Sequence, residues 1–561
     1  MLEIRLTEAD VRHIVESVLR NIDQRLASAS AGQADKARPE AAGGCSVRPA
    51  APAGGASAGA AAGGATAGIA GGIATASTAA GGATSGMAAA ASRPSAPGVV
   101  TGGAASLAGD LGVFERPEDA IEAAHRAQRE YAQKFGMEDR ERIIRAIRQA
   151  TLDHKEGLAR RMWEETKLGR LEHKVAKVEL TALKTPGTED LETHAVTGDN
   201  GLTLTELAPY GVIGAITPVT NPAETIINNA IGMLAAGNSV VFNVHPSAKG
   251  CSMFTVQLIN KAIMNAGGPP DLVTMVKEPT METLDVIVKS PLVSLLVGTG
   301  GPGLVRTILA SGKKAIGAGA GNPPVVVDET ADLEHAAKQI VLGAAFDNNI
   351  LCIGEKEVFV VDKAADELIF HLLNNGAYML GRRELEQIME FALVSDIPGA
   401  RPSCSGDEWR SWHPAKEWIG KDARLFLERI GIRDKNPELL ICEVDFDHPL
   451  VQIEQMMPIL PIVRTRSLDE AIEMAVQAEH GNRHTAVMHS RNVDNLTKFA
   501  RAIRTTIFVQ NGSSLAGVGY GGEGFTTMTI AGPTGEGLTS ARTYTRKIRR
   551  VLAGGGLRNI G

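Results

Sequence analysis

The chain has 561 residues, of which 44% are hydrophobic and 22% are charged, and its formal net charge is −7. This length predicts two or three domains with large cores, and the acidic balance argues against a nucleic-acid partner. Gly, Asn and charged residues interrupt the apolar windows well before the ~20 residues that a membrane span needs, so the composition also argues against a membrane protein.

The cysteines of the chain predict a reducing, cytoplasmic environment. No CxxC pair occurs, the count is odd and no signal peptide is recognisable, so disulfide and zinc spacings are both missing. His245, His484 and His489 have no metal-ligand partners at usable spacing, which predicts structural histidines with satisfied hydrogen bonds and no metal. The cysteines are Cys45, Cys251, Cys352, Cys404 and Cys442.

The first predicted element is an amphipathic helix in residues 1–22, followed by a flexible linker in residues 23–107. Thr7 and Asp10 are spaced to cap the helix. The linker is mainly Ala, Gly, Ser, Thr and Pro, which cannot bury enough apolar surface to offset its ordering entropy. A helix tethered so loosely must dock to be stable, either on a second copy or the main body, or on another assembly. Its apolar stripe consists of Val11, Ile14, Val15, Val18, Leu19 and Ile22.

Residues 117–184 read as helices, after which strands alternate with helices. That alternation predicts an α/β fold with a parallel, doubly wound sheet, and a second α/β block follows it. In the first block, strands are predicted at 211–216, 239–244, 272–276 and 293–297, with helices at 223–236, 248–266, 281–289 and 304–311. In the second block, a helix is predicted at 333–345 and strands at 325–328, 356–361, 439–444 and 505–509.

The run Gly-Thr-Gly-Gly-Pro-Gly at 298–303 fits the G-x-G-x-x-G nucleotide-binding motif. An apolar strand precedes it and a helix follows, which is the context that turns backbone N–H groups toward a phosphate. Asp328, the candidate for the ribose-binding acid, lies farther along than the usual spacing of about 20 residues. The sequence therefore favours a dinucleotide held in a non-standard way, with a simple tight turn as the alternative.

Cys352 and Asn221 are the candidates for covalent chemistry, because a thiol can attack a carbonyl while an amide N–H stabilises the oxygen that becomes negative. Cys352 lies in a loop between predicted elements, where nearby N–H groups could lower its pKa. Asn221 follows the first buried strand, where ligands bind in open parallel sheets. The alternatives are a buried structural cysteine and an ordinary Asn-Pro turn. Cys251 and Cys442 look structural, and Glu454 is either a ribose acceptor or a surface acid.

Several separate runs together carry a resemblance to a known family. They lie at 197–203, 217–222, 228–230, 235–238, 317–324, 346–356, 483–490, 521–524 and 533–537. From about residue 112 to the C-terminus, the chain resembles the CoA-acylating aldehyde dehydrogenases of bacterial microcompartments. So many separate matches make the resemblance specific.

The resemblance implies an aldehyde dehydrogenase-like α/β fold in three parts. These are a Rossmann-like NAD domain at 108–319, an α/β catalytic domain at 320–520, and a small β oligomerisation arm at 521–561 with part of 197–210. It also implies an oxidoreductase that uses NAD and coenzyme A to convert a short aldehyde to an acyl-CoA through a cysteine thioester. Propionaldehyde, giving propionyl-CoA, is the favoured substrate. The alternatives are an acetaldehyde-preferring enzyme of the same family or a hydrolytic aldehyde dehydrogenase.

The resemblance assigns a role to each matched residue. Cys352 is the nucleophile, Asn221 together with the Cys352 backbone N–H is the oxyanion donor, and Glu454 holds the nicotinamide ribose. Residues 513–514 mark a loop where the aldehyde pocket is expected. The residues implied to line the cofactor are Ile216, Thr217, Pro218, Asn243, His245, Gly298, Thr299, Gly300, Gly301, Val305, Ala318 and Gly319.

Two departures from the hydrolytic aldehyde dehydrogenases carry chemical meaning. Those enzymes place a glutamate before a Leu-Gly-Gly run to activate water, whereas residues 317–321 here contain no acid. Without a general base, the rate at which water attacks the thioester falls by roughly 10²–10⁴-fold, so the CoA thiol can react with the thioester before water does. The lysine that usually contacts the adenosine ribose is also missing from residues 241–245.

The resemblance gives the N-terminal helix a role as well. In this family, short amphipathic helices on Ala/Gly/Pro linkers direct cargo into shells, so residues 1–22 are predicted to be an encapsulation peptide that binds microcompartment shell proteins. The enzyme is then expected inside a bacterial microcompartment in the cytoplasm, as a homo-oligomer, either a dimer or a tetramer. The region 379–418 departs most from the family and is expected to affect selectivity or assembly.

Overall fold

The computed structural model describes residues 110–397 and 406–554. The predicted helix at 1–22, the linker at 23–107, Cys45 and Cys404 lie outside the described residues. No described helix is both long enough and apolar enough to cross a membrane.

The helices and strands alternate along most of the described chain. The helices are α1 (Pro117–Lys134), α2 (Met137–Asp153), α3 (Lys155–Thr166), α4 (Leu171–Lys184), α5 (Pro222–Ala235), α6 (Lys249–Asn265), α7 (Met281–Lys289), α8 (Pro302–Leu309), α9 (Leu333–Ala345), α10 (Asp362–Asn374), α11 (Arg382–Ala392), α12 (Ala423–Arg429), α13 (Pro449–Gln452), α14 (Leu468–Ala478) and α15 (Val493–Ile503). The strands are β1 (Val113–Phe114), β2 (His194–Gly198), β3 (Gly201–Pro209), β4 (Val212–Ile216), β5 (Ser239–Asn243), β6 (Val273–Val276), β7 (Val293–Thr299), β8 (Lys314–Ala318), β9 (Pro324–Val327), β10 (Glu357–Val361), β11 (Ala377–Met379), β12 (Leu393–Ser395), β13 (Trp412–Pro414), β14 (Leu439–Glu443), β15 (Ile459–Thr465), β16 (Thr485–His489), β17 (Ile507–Gln510), β18 (Ile530–Ala531), β19 (Gly537–Leu538) and β20 (Thr545–Ala553).

The first six-stranded sheet has the order β1-β6-β5-β4-β7-β8, and its neighbouring strands are parallel. Every residue of β4 and β5 is buried, as expected for strands covered by helices on both faces. The predicted α/β class and parallel sheet are therefore confirmed. Most of the predicted bounds in this block are wrong by one or two residues. For example, β7 continues two residues beyond 297, because Gly298 and Thr299 pair with Gly317 and Ala318 of β8.

The second parallel sheet has seven strands in the order β11-β14-β15-β10-β9-β16-β17. It contains each of the strands predicted for this block, with ends shifted by one or two residues. The sequence patterns do not predict β8 of the first sheet, nor β11, β15 and β16 of this one. Pro461 lies within β15, and proline usually argues against an interior strand because it cannot donate to the ladder.

A third, antiparallel sheet is formed by β2, β3 and β20. Residues 201–209 of β3 pair along their whole length with residues 545–553 of β20, so the C-terminal strand returns to a hairpin more than 300 residues earlier in the chain. The outer strands of this sheet are mostly exposed. The change from the first sheet to the second falls between β8 and β9, close to the boundary predicted at 319–320, and the domain limits themselves stay predictions.

Candidate active site

A single cleft brings together the two residues predicted to carry the chemistry. It contains about 480 Å³ of space free of protein atoms, counting the part open to solvent. Asn221 contributes from the first parallel sheet, and Cys352 from the loop before β10. The remaining lining is mostly apolar and consists of Lys177, Leu180, Phe346, Leu351, Ile353, Leu515, Val518, Tyr520, Thr527, Met528 and Ile530.

Cys352 is partly exposed in this cleft, whereas Cys251 and Cys442 are buried as predicted. Burial raises the pKa of the Cys352 thiol to about 12; the nearby Glu454 carboxylate adds to the rise and the Lys356 ammonium opposes it. The backbone N–H groups at the loop do lower the pKa, as the sequence suggested, but burial outweighs them. The resting thiol is therefore protonated at neutral pH.

The turn that leads to Cys352 has an unusual backbone. Asp347, Asn348 and Asn349 have φ angles of 49°, 55° and 63°, so three consecutive residues are left-handed. Asp and Asn tolerate this region better than other side chains, although each still costs of order 1 kcal/mol. The surrounding protein offsets that strain. The Arg170 backbone N–H donates to Asp347 Oδ1 at 2.8 Å, and the Asn348 amide donates to the Gly420 carbonyl at 2.9 Å.

Lys356 is fully buried and contacts the same loop with its ammonium group. Its ammonium donates to the carbonyl oxygens of Asn349 at 2.8 Å and Leu351 at 3.0 Å, and also to the Asn349 side-chain oxygen. A buried charge is tolerated only when it is well hydrogen-bonded. These bonds fix the backbone on the N-terminal side of Cys352.

Asn221 is the residue that precedes α5, and Pro222 begins that helix. Proline favours the first helical position and keeps its predecessor out of the helix, which places the Asn221 side chain at the carboxyl end of β4. Its Oδ1 accepts a hydrogen bond from Lys177 Nζ at 2.6 Å. Its Nδ2 lies 3.4 Å from Thr220 Oγ1, a long contact that leaves the amide hydrogens largely available.

Four buried charges form a cluster at the cleft, and one of them, Lys177, is a lining residue. Lys177 Nζ is 2.6 Å from Asp347 Oδ2 and 3.2 Å from Glu224 Oε1, and Lys174 Nζ is 3.3 Å from Asp347 Oδ2. Burial lowers the pKa of Lys177, but Asp347 and Glu224 outweigh burial and raise it. Burial raises the pKa of Asp347, but the two lysines lower it overall. The charges balance, and sequence reasoning missed all four of these residues as parts of the site.

The carboxyl end of β4 and the glycine motif provide features that fit a dinucleotide. Thr217 Oγ1 is buried and has no hydrogen-bond partner among the described residues, so a bound ligand can supply one. A Cβ on Gly298 would lie 2.7 Å from Ile308 of α8, so this glycine allows the helix to pack against β7. A Cβ on Gly301 would meet nothing within 4 Å, which leaves its backbone open to approach.

The other predicted cofactor residues are placed around these. At the end of β4, Ile216 is buried and Pro218 is half-buried. Thr299 Oγ1 is 2.9 Å from Thr529 Oγ1, and Gly319 lies beside Pro533. Asn243 accepts from Thr283 Oγ1 at 2.7 Å, and the Gly300 N–H donates to the Ala318 carbonyl at 3.0 Å. Val305 is buried against Gly317. The His245 imidazole is partly covered, and this partial burial together with the Lys416 ammonium lowers its pKa.

Glu454 lies near the thiol rather than on the open surface. It is half-buried, and the backbone N–H of Gly321 donates to its carboxylate. Burial raises the pKa of Glu454, while Lys356 opposes the rise. Gly321 must be glycine, because a Cβ there would lie 2.4 Å from the Cys352 carbonyl oxygen. The Glu454 carboxylate therefore lies close enough to raise the pKa of Cys352.

The histidines and the 513–514 loop only partly follow the predictions. His484 is buried beside Thr485 Oγ1 at 2.9 Å, and burial lowers its pKa to about 4. The prediction of a satisfied His489 is wrong, because its buried Nε2 has no partner among the described residues. Ser514 does not line the cleft; its N–H and hydroxyl donate to the buried Glu355 carboxylate, and Leu515 lines the cleft instead.

The thiol pKa gives a testable pH dependence. Alkylation of Cys352 by iodoacetamide requires the thiolate, so between pH 7 and 9 its rate should rise about tenfold per pH unit without a plateau. The Glu454→Gln variant removes a negative charge that raises the pKa, so its alkylation should be faster at a given pH. Peptide mass spectrometry of the Cys352 peptide measures both rates. A plateau below pH 8 in the parent would contradict a thiol whose pKa is raised.

Comparison with known proteins agrees with this geometry. Residues 114–382 match the aldehyde dehydrogenase family. The chain is 47% identical over 450 residues to the acetylating acetaldehyde dehydrogenase EutE of Salmonella typhimurium, covering 80% of this chain and 94% of the relative. It is similar in structure to a propionaldehyde dehydrogenase from the fucose utilisation bacterial microcompartment of Clostridium phytofermentans, with a TM-score of 0.76, 49% identity, and coverage of 80% and 100% of the two chains. A propionaldehyde dehydrogenase of Rhodopseudomonas palustris, with bound CoA and an acylated cysteine, matches with a TM-score of 0.75 and 49% identity over 80% and 99% of the chains.

Proposed function

This chain belongs to the aldehyde dehydrogenase family, within its CoA-acylating group, and we propose on that premise that it converts a short aldehyde and CoA to an acyl-CoA with NAD as oxidant. The observation that carries the proposal is the placement of Cys352 and Asn221 in one mostly apolar cleft. A nucleophile, an oxyanion donor and a pocket for an alkyl chain are the parts that thioester formation needs.

The reaction uses the side chains of this chain in sequence. The Cys352 thiol first gives up its proton to solvent. The thiolate then adds to the aldehyde carbon, and Asn221 Nδ2 with the Cys352 backbone N–H stabilises the oxygen as it becomes negative. Bound NAD would supply the hydride acceptor, and once that carbon has lost hydride Cys352 carries an acyl thioester. The CoA thiolate then attacks the thioester carbonyl, the bond to Cys352 breaks, and acyl-CoA leaves with the Cys352 thiolate restored.

The segment that replaces the water-activating glutamate supports CoA over water as the acyl acceptor. Gly317 lies in β8, and a Cβ there would be 2.8 Å from Val305 Cγ1, so the packing of α8 leaves no room for an acidic side chain. A thiolate needs no general base to attack, whereas water does. The acyl-enzyme is therefore expected to survive until CoA binds.

This expectation provides the test of the function. With aldehyde and NAD but no CoA, NADH should appear as a single burst of about one equivalent per active site and then stop. Adding CoA should restart steady turnover and give acyl-CoA, detected by mass spectrometry. Steady NADH production with release of free acid in the absence of CoA would instead establish the hydrolytic alternative.

The lining of the cleft favours a short alkyl chain. Leu180, Phe346, Val518, Met528 and Ile530 give apolar walls that suit a two- to four-carbon aldehyde. We infer propionaldehyde as the preferred substrate, with acetaldehyde as the alternative, since proteins acting on each are among the relatives. Comparing kcat/KM for the two- to four-carbon aldehydes decides between them.

Shell docking is inferred for residues 1–22. The amphipathic stripe and the Ala/Gly-rich linker support it, and a related dehydrogenase comes from a bacterial microcompartment. Deleting residues 1–22 should leave kcat in solution unchanged and abolish co-purification with shells. A matched control replaces Glu16 and Arg20 on the polar side and should still co-purify. Loss of solution activity in the deletion would indicate that the helix packs on the main body.

We infer that the sheet formed by β2, β3 and β20 takes part in assembly of a homo-oligomer, a dimer or a tetramer. Val196 of β2 and Val551 and Leu552 of β20 expose 55%, 63% and 42% of their surfaces. Apolar side chains on exposed outer strands favour burial against another surface.

A further inference from the structure

We propose that Lys177 is a positioning residue that aligns the Asn221 amide with the loop that carries Cys352. Lys177 lies on α4, which is remote in sequence from both residues, and it is 2% exposed at the side of the cleft. The proposal rests on the proposed function, because it concerns the oxyanion donor and the nucleophile of that reaction.

Lys177 fixes the orientation of the Asn221 amide. An ammonium group has three donors and no acceptor, so the Asn221 atom 2.6 Å from Lys177 Nζ must be the carbonyl oxygen. With Oδ1 held by Lys177, the Nδ2 hydrogens are turned away from α4. If the amide rotated by half a turn, two donors would face each other in a buried site. Lys177 therefore selects the orientation in which Asn221 can donate to an oxyanion.

Lys177 also contacts the loop that carries the nucleophile. The same ammonium lies 2.6 Å from Asp347 Oδ2, and Asp347 begins the left-handed turn five residues before Cys352. Asp347 also accepts from the Arg170 backbone N–H, at the residue preceding α4. A single cation thus bridges the end of β4 and the Cys352 loop. The relative position of donor and nucleophile depends on that bridge.

Lys174 provides a matched comparison within the same buried cluster. It lies one turn earlier on α4, it is 1% exposed, and its ammonium is 3.3 Å from the same Asp347 oxygen. Among the hydrogen bonds of the described residues, however, the one to the Asn221 side-chain oxygen comes from Lys177. Removing either lysine disturbs the buried charge balance, whereas only removal of Lys177 also releases the Asn221 amide.

The test compares Lys177→Met with Lys174→Met in the full chain. We expect Lys177→Met to lower the single-turnover rate of acyl-enzyme formation by about 10²–10³-fold, the size of effect seen when an oxyanion donor is lost. Lys174→Met should lose less than about tenfold. The double variant Lys177→Met with Asn221→Ala should be slower than Asn221→Ala alone by much less than the loss seen for Lys177→Met alone, because the interaction between Lys177 and Asn221 is already absent in either single variant.

A second variant keeps the proposal testable if Lys177→Met does not fold. Lys177→Gln is neutral but keeps an N–H that can donate to Asn221 Oδ1, so it should recover most of the lost rate, whereas Lys174→Gln serves as its control. Equal losses in the Lys177 and Lys174 variants, or additive losses with Asn221→Ala, would overturn the proposal. A parent enzyme that forms no acyl-CoA would instead contradict the proposed function.

Discussion

Replacing Cys352 by alanine is expected to abolish acyl-CoA formation, with a loss of about 10⁴-fold or more in kcat. The thiol forms the covalent bond on which every later step depends, and removal of a covalent nucleophile costs this much in other enzymes. The folded state should be little affected, since Cys352 is partly exposed and its loop is held by Asp347, Asn348 and Lys356. NADH formation and acyl-CoA yield measure the effect.

Cys442→Ala is the matched control for this variant. Cys442 is a buried cysteine in β14, remote from the lining of the cleft, and burial raises its pKa to about 12 as it does for Cys352. The control should lose some stability, because it leaves a small cavity, and keep its kcat. Acyl-CoA formation by Cys352→Ala at a rate within tenfold of the parent would contradict a mechanism through a cysteine thioester.

The second large effect is expected for Asn221. Asn221→Ala should lower acyl-enzyme formation by about 10²–10³-fold, because one preorganised donor to the developing oxyanion is lost. Asn221→Asp should be slower still, since its carboxylate would pair with Lys177 and place a negative charge beside the oxyanion. Stopped-flow measurement of the first NADH burst gives both rates directly.

The control for Asn221 is a buried asparagine with a purely structural environment. The Asn260 amide donates to the Leu111 and Val273 carbonyls at 3.0 and 2.6 Å, so Asn260→Ala should lower the melting temperature and leave the burst rate near that of the parent. Iodoacetamide alkylation of Cys352 forms no oxyanion, so Asn221→Ala should leave it nearly unchanged. A parallel fall in alkylation would indicate that the variant has displaced the nucleophile instead.

The region at 379–418 comes close to His245, one of the residues predicted to line the cofactor. Its Lys416 lies near enough to His245 to lower the pKa of that histidine, and Trp409 stacks on His480 with ring centroids 4.5 Å apart. The sequence marked this region as the most divergent. The structure adds that the described part of this region contacts the main body through aromatic packing and through charge.

Several features followed from local sequence because local physics specifies them. The continuous apolar runs of β4 and β5 predict buried parallel strands, and the bounds of α7 and α9 agree with the predictions residue by residue. The roles of Cys352 and Asn221 were inferred from their motifs, and the fold placed both in one cleft. By contrast, β15 with its internal Pro461 and the short β8 with Gly317 have weak local signals and form because neighbouring strands pair with them.

What the sequence determined, then, was which residues carry chemical groups and which segments alternate between strand and helix, because both are properties of short stretches of chain. The tertiary structure decided which distant groups meet. The bridge from Lys177 to Asn221 and Asp347, the effect of Glu454 on the Cys352 thiol and the exclusion of an acid at position 317 all join segments far apart in sequence. Electrostatic and packing energies depend on distances of a few ångströms, and only the folded chain sets those distances.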